Sequence, residues 1–114
     1  MYELISIQEH IRWQRVLDSL QISDMYYTSQ YFLSAVKLDP GEALLFYYKD
    51  DDGEVAYPFI KRQISDEDTR YFDVTTPFGY GGPILKVGKN GVDLVANFRK
   101  TFVEYCENEK IVAE

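Results

Sequence analysis

The sequence predicts an α+β (α/β) fold, a mostly antiparallel sheet with helices on both of its faces, and three observations predict it. The run Ala43, Leu44, Leu45, Phe46, Tyr47, Tyr48 is apolar at odd and even positions alike, so a strand there must be covered front and back. Asp50-Asp51-Asp52-Gly53 and a second strand-like run at 54–62 follow it, and together they read as an antiparallel hairpin. Segments with helical spacing of apolar residues lie before and after the hairpin, and such a strand implies helices front and back. At 114 residues the chain is long enough for one core and too short for two, so residues 1–114 are read as a single unit.

In chain order, residues 2–5 read as a short strand. Ser6 and Glu9 have the spacing of a capping box, in which each side chain satisfies an amide of the first helical turn. The helix that follows carries Trp13, Val16, Leu17 and Leu20 on one side, with Arg12, Arg15 and Asp18 elsewhere. His10 sits at the rim of that stripe; it is read as a packed or half-exposed helix residue rather than a base, because no acidic or nucleophilic partner is evident nearby. Thr28 is the N-cap expected for a second helix running to about Lys37, which stops before Asp39-Pro40-Gly41 and carries Tyr31, Phe32, Ala35 and Val36.

In the hairpin, a symmetric turn sets Lys49 opposite Glu54 as a surface pair. The acidic run at 50–52 lacks the further ligands of a calcium loop and reads as a solvated turn. Pro58 has no N–H to give a ladder, so its strand is an edge there or the pairing opens at a bulge. An opening beside Phe59 would present main-chain groups to a ligand; a plain bulge is the simpler alternative. Residues 70–75 read as a third antiparallel strand, and the chain then enters its most unusual stretch. Between Thr75 and Pro83 lie Pro77, Phe78, Gly79, Tyr80, Gly81 and Gly82, with three of the seven glycines and two of the four prolines. Glycine permits close backbone approach and proline fixes φ, so this is a rigid shaped turn, either a tight connection or a ligand-facing loop. After Ile84, Leu85 and Val87, the longest helix is expected at about 92–107. Val92, Val95, Ala96, Phe102, Val103 and Cys106 make one stripe of it, with Arg99 at the rim, and Leu94, Phe98 and Tyr105 make another. Ile111, Val112 and Ala113 begin a further strand. A strand met at its start, after a helix apolar on two sides, sets the expectation that the chain is part of a larger protein whose fragment self-associates.

Composition excludes several function classes. A net charge of −7 and a pI near 4.6 argue against a nucleic-acid surface made by this part as a whole. One histidine and one cysteine give no metal-ligand spacing, and the lone Cys106 makes a reducing, cytoplasmic compartment the default. No apolar run approaches the roughly 18 residues of a membrane span. Ten Tyr and seven Phe are more rings than a small core usually hides, which points to some of them lining a groove or an interface.

The order strand, helix, helix, three antiparallel strands, loop, helix, strand is similar to the first half of the GNAT acyltransferase arrangement. The runs Tyr27-Thr28-Ser29-Gln30-Tyr31-Phe32, Asp51-Asp52-Gly53, Tyr57-Pro58-Phe59 and Pro77-Phe78-Gly79-Tyr80-Gly81-Gly82-Pro83 resemble the N-terminal half of FemAB-like proteins, bacterial relatives of the peptidoglycan aminoacyltransferases. The resemblance implies a partial GNAT-like fold and the acceptor-binding N-terminal part of an acyl- or aminoacyl-transferase, inactive alone. It implies an amine-bearing small molecule or cell-wall precursor as acceptor, the remainder of the polypeptide as partner, and acyl-CoA or aminoacyl-tRNA as carrier for the full-length protein. The connection at 77–90 lacks the arginine- or glutamine-led glycine loop of coenzyme A binders, so no cofactor is expected on this chain. By the same resemblance Phe78, Tyr80, Gly81 and Gly82 shape the wall of the acceptor groove and Lys37 meets an acceptor phosphate; Lys61 and Arg62 would serve a phosphate equally well, with a solvated strand end as the alternative for both. The alternative reading is a non-catalytic interaction module that uses an aromatic surface.

Overall fold

The structure, a computed structural model, describes residues 2–22, 27–38, 41–63, 72–75 and 83–113. The described elements run β1 (Tyr2–Ser6), α1 (His10–Ser19), α2 (Ser29–Leu38), β2 (Glu42–Asp50), β3 (Gly53–Gln63), β4 (Phe72–Thr75), β5 (Ile84–Val87), α3 (Gly91–Asn108) and β6 (Ile111–Ala113). One sheet joins all six strands in the order β1-β2-β3-β4-β6, with β5 also paired to β3. Every pairing is antiparallel except β4 with β6. The fold is therefore α+β, with helices on both faces of a mostly antiparallel sheet.

The doubly apolar strand explains the layering. Alternation along β2 sends Ala43 and Leu45 to one face, where they pack with Ile5, Ala56 and Ile60 under Trp13, Leu17 and Phe32 of α1 and α2. Leu44, Phe46 and Tyr48 go to the other face and pack with Val55, Tyr57 and Phe59 under Leu94, Phe98, Phe102 and Tyr105 of α3. Each buried ring or aliphatic side chain contributes on the order of 1.5–3 kcal/mol by leaving water.

The helix starts differ from expectation in one detail. Glu9 does accept from the Ser6 amide (3.3 Å), but the Ser6 hydroxyl accepts from Gln8 N–H (3.3 Å), and the pair closes a turn just before α1 rather than its first turn. Thr28 caps α2 as expected, its hydroxyl accepting from Tyr31 N–H at 3.3 Å. The ends of α1 and α3 carry no glycine: Gln21 and Lys110 adopt left-handed φ values of 59° and 58°, and the Ile22 amide donates back to the Leu17 carbonyl at 2.8 Å.

Two side-chain expectations are corrected. Lys49 does stand opposite Glu54 in the register, yet the Glu54 carboxylate takes the hydroxyl of Tyr47, its diagonal neighbour on the same face. On α3 the buried line is Leu94, Phe98, Phe102 and Tyr105, so Phe102 belongs with the stripe opposite the valines. Its positions recur at intervals of four, four and three, which keeps them on one side of the helix, and Val92, Val95 and Val103 are left exposed. The hairpin tip is structural. The Asp52 carbonyl accepts from Gly88 N–H (2.7 Å) and Lys89 N–H (3.0 Å), and Gly53 has φ 149°, where an added Cβ would collide with the Lys86 carbonyl.

Candidate functional site

The site begins at Pro58. Bonded pairs alternate along a ladder counted from Asp50↔Gly53, which closes a two-residue turn, so Val55, Tyr57 and Phe59 direct their amides and carbonyls to β2. Ala56, Pro58 and Ile60 direct theirs to the far side. There Ala56 meets Ile84 of β5, and Ile60 meets Thr75 of β4. Between them Tyr57, Pro58 and Phe59 have no strand partner on that side among the described residues. Among the described residues the β4 and β5 pairings thus stop short of each other at the position where proline has no N–H to lose.

The two strands that flank this opening, β4 and β5, are the strands that the Gly-aromatic segment connects. Phe78, Tyr80, Gly81 and Gly82 lie outside the described residues; their anchors, Thr75 and Ile84, stand on either side of Pro58. Arg62 lies two positions beyond Ile60, opposite Asp73, half-buried on the face that carries α2. Lys37 is in the last turn of α2, with its side chain outside the described residues. Alternation separates Arg62 from Lys61. The Lys61 ammonium is on the α3 face, 3.7 Å from Glu109 Oε1 and 4.5 Å from the centre of the Phe72 ring.

The other end of β5, at Gly53↔Val87, is closed by turn chemistry. Asn90 caps α3, its side-chain oxygen accepting from Asp93 N–H at 3.1 Å, and Asp93 puts a carboxylate in the first turn. The amides of Gly88 and Lys89 already donate to Asp52. Tyr48 and the amides of Asp52 and Gly53 hold the Asp50 carboxyl below the usual carboxylate range, with a side-chain bond from Asn97 adding to this. Burial and Asp50 push the Tyr48 phenol up to about 12.

Sequence reasoning missed one feature. His10, expected packed or half-exposed at the rim of the stripe, is exposed at the first turn of α1 and borders a cleft of about 440 Å³ with Ile7, Gln8, Ser29, Gln30 and Leu33. Buried Ser29 forms its inner wall. Arg12, two residues on, bridges Glu3 (2.7 Å) and Glu9 (3.1 Å), which raises its pKa and holds Glu9 low. Arg15 has no ion pair among the described residues. Spacing gave no signal for this cleft, because it arises where the starts of α1 and α2 come together. Its residues can hold a ligand by hydrogen bonds; no nucleophile–base pair is formed there.

Among the described residues no three His, Cys, Asp or Glu side chains converge as a metal site, and no helix is long and apolar enough to cross a membrane. Among the described residues the rings gather mainly under α3, where Phe46 lies 4.7 Å from Tyr2 and 5.1 Å from Phe102 between ring centres. No family model, curated protein or solved structure matches this chain.

Proposed function

We propose that this chain is the acceptor-binding N-terminal part of an acyl- or aminoacyl-transferase of the FemAB-like, GNAT type, inactive by itself. The observation that carries the reading is the opening at Pro58, flanked by the two strands that the Gly-aromatic segment joins. A gap of that kind would present main-chain groups to an amine, and glycine permits close backbone approach. In this reading Phe78, Tyr80, Gly81 and Gly82, which lie outside the described residues, shape the wall of the acceptor groove, and Lys37 or Arg62 meets an acceptor phosphate. Transfer to an amine depends on positioning the nucleophile, removing its proton and polarising the carbonyl. This part supplies the positioning, and the remainder of the polypeptide supplies the chemistry and holds the carrier, acyl-CoA or aminoacyl-tRNA, in a cytoplasmic setting.

The start of α3 supports assigning the carrier elsewhere. A pyrophosphate at a helix N-terminus needs open amides and no nearby anion, whereas here Gly88, Lys89 and Asp93 amides are engaged and the Asp93 carboxylate stands in the way. The test is a pair of titrations followed by amide chemical shifts and thermal unfolding. An amine-bearing cell-wall precursor is expected to move Tyr57, Phe59, Ile84 and Arg62, while acetyl-CoA moves nothing and leaves the melting temperature unchanged. Stabilisation by acetyl-CoA, or an acceptor that leaves these residues untouched, overturns the reading. Sequence beyond Glu114 with a second GNAT-like pattern favours it further.

A second reading, a non-catalytic interaction module, is favoured by a different observation. Among the described residues the large exposed apolar side chains lie chiefly on α3 and β5, with Val92 80% and Val103 52% exposed, and are aliphatic rather than the aromatic surface expected of such a module.

A further inference from the structure

We propose that the cleft where α1 and α2 begin is a binding site for a small aliphatic carboxylate, with the anionic group beside Arg15 and the apolar chain on Ile7 and Leu33. The cavity of about 440 Å³ described above adjoins a second of about 340 Å³, and His10, Ser29 and Gln30 line both. Their far ends differ in chemistry. Ile7 and Leu33 belong to the larger cavity, whereas Gln14, Arg15 and Asp18 belong to the smaller. Helical spacing builds the two ends: His10, Gln14 and Asp18 recur every four residues along α1, and Leu33 stands one turn beyond Ser29 on α2. Cavities of roughly 300–1,000 Å³ are the size that holds a small molecule. Between the ends lies Ser29, 4% exposed, whose hydroxyl has one partner among the described residues, the side-chain oxygen of exposed Gln30 at 3.4 Å. That is beyond the usual hydroxyl range of about 2.5–3.0 Å, so a buried donor at the wall of both cavities is left poorly served.

The sign of the ligand's charge follows from which charges of the cleft are already engaged. Arg12 is held between Glu3 and Glu9, and Asp18 accepts from the Gln14 amide at 3.0 Å. Arg15 has no ion pair among the described residues. Its planar guanidinium matches a carboxylate with two parallel hydrogen bonds. Both helices line the cleft with first-turn residues and neither has an acid in that turn, so their fields favour an anion as well. The other end calls for the chain. Leu33 is 49% exposed and Ile7 is half-buried, and a hydrocarbon laid across them takes apolar surface of both out of water. A carboxylate without a chain leaves that surface wet, and an ammonium in place of the carboxylate meets Arg15 with like charge. The site uses none of the residues of the transferase reading and is independent of it.

Titration of the chain with isocaproate, followed by amide chemical shifts, reads the site directly, with acetate and isoamylamine as comparisons. The expected result is a saturable shift at Ile7, His10, Ser29 and Leu33 with a Kd on the order of 1 mM. Acetate, which lacks the chain, binds at least about tenfold more weakly, and isoamylamine, which has the chain and the opposite charge, gives no saturable shift at these residues. Arg15→Gln and Leu33→Asn each weaken isocaproate binding by about fivefold or more. Both positions are exposed, so unchanged melting temperatures accompany the variants. No saturable shift with isocaproate overturns the proposal. Isoamylamine or acetate binding as tightly as isocaproate, or isocaproate binding that is indifferent to either variant, overturns it as well.

Discussion

The two faces of the sheet are covered by different means. On one, the ten-residue helices α1 and α2 divide the surface between them, and the sheet meets them with the small Ala43 and Ala56 beside larger aliphatics, leaving room for Trp13 and Phe32. On the other, the single eighteen-residue helix α3 covers the sheet, and both layers contribute rings: Phe46, Tyr57 and Phe59 from below, Phe98, Phe102 and Tyr105 from above. A lone helix leaves wider gaps than a pair, and rings reach across them where aliphatic side chains would leave voids. The excess of aromatic residues is the cost of covering one face with one helix.

That contrast is broken most directly at its centre. Phe46 lies within 6 Å, between ring centres, of Tyr2, Phe98, Phe102 and Tyr105. Phe46→Ala is expected to cost about 3–5 kcal/mol in chemical denaturation, since four rings lose a common neighbour and cannot all collapse into the space. On the opposite face Trp13→Phe removes less volume and the 2.9 Å bond from the indole N–H to the Tyr27 carbonyl, for about 2 kcal/mol. A Phe46→Ala loss no larger than that of Trp13→Phe would remove the distinction between the faces. Gly53→Ala follows, at about 2–3 kcal/mol, because alanine is strained at φ 149° and meets the Lys86 carbonyl and Leu94.

Much of this was legible in the sequence, and what was not has identifiable causes. The doubly apolar run at 43–48 required two covers, and the Asp50–Gly53 turn fixed the register of β2 on β3 down to Lys49 opposite Glu54. Pro58 marked the opening because its missing N–H is a local property of one residue. The cover residues of α3 were misassigned at Phe102 because both of its stripes are apolar, and periodicity alone does not say which one the sheet takes. The ends of α1 and α3 were unmarked, since Gln21 and Lys110 hold the left-handed positions where glycine is the usual signal. The Glu54–Tyr47 bond and the His10 cleft depend on diagonal and helix–helix neighbours, which spacing along one segment does not encode.

A smaller effect tests how the hairpin tip is tied to the α3 face. The depressed Asp50 carboxyl contributes stability that is present above the ordinary carboxylate pKa and lost as pH falls through its lower folded value. Asp50→Asn is expected to cost about 1 kcal/mol near neutral pH and nothing at strongly acidic pH, where the wild-type carboxyl is protonated. Parallel stability curves for the two proteins down to about pH 2 would show that the tip is not held by this charge.

The smallest expected change runs the other way and concerns a polar atom inside the ring cluster. Tyr105 is 2% exposed, and its hydroxyl has no hydrogen-bond partner among the described residues. Burial is the main reason its pKa is raised, so the phenol stays neutral and its unmet polarity stays within the core. In water that hydroxyl is hydrogen-bonded; in the folded protein it is not, so folding carries a desolvation cost with nothing to offset it. The ring itself packs against Phe46 and Phe102. Tyr105→Phe keeps that packing and removes the cost, and should raise stability by about 1 kcal/mol, which is a melting temperature higher by a few degrees. A loss of stability instead would mean that the hydroxyl is satisfied in solution, and the aromatic face would then be polar at its centre rather than a continuous ring-packed core.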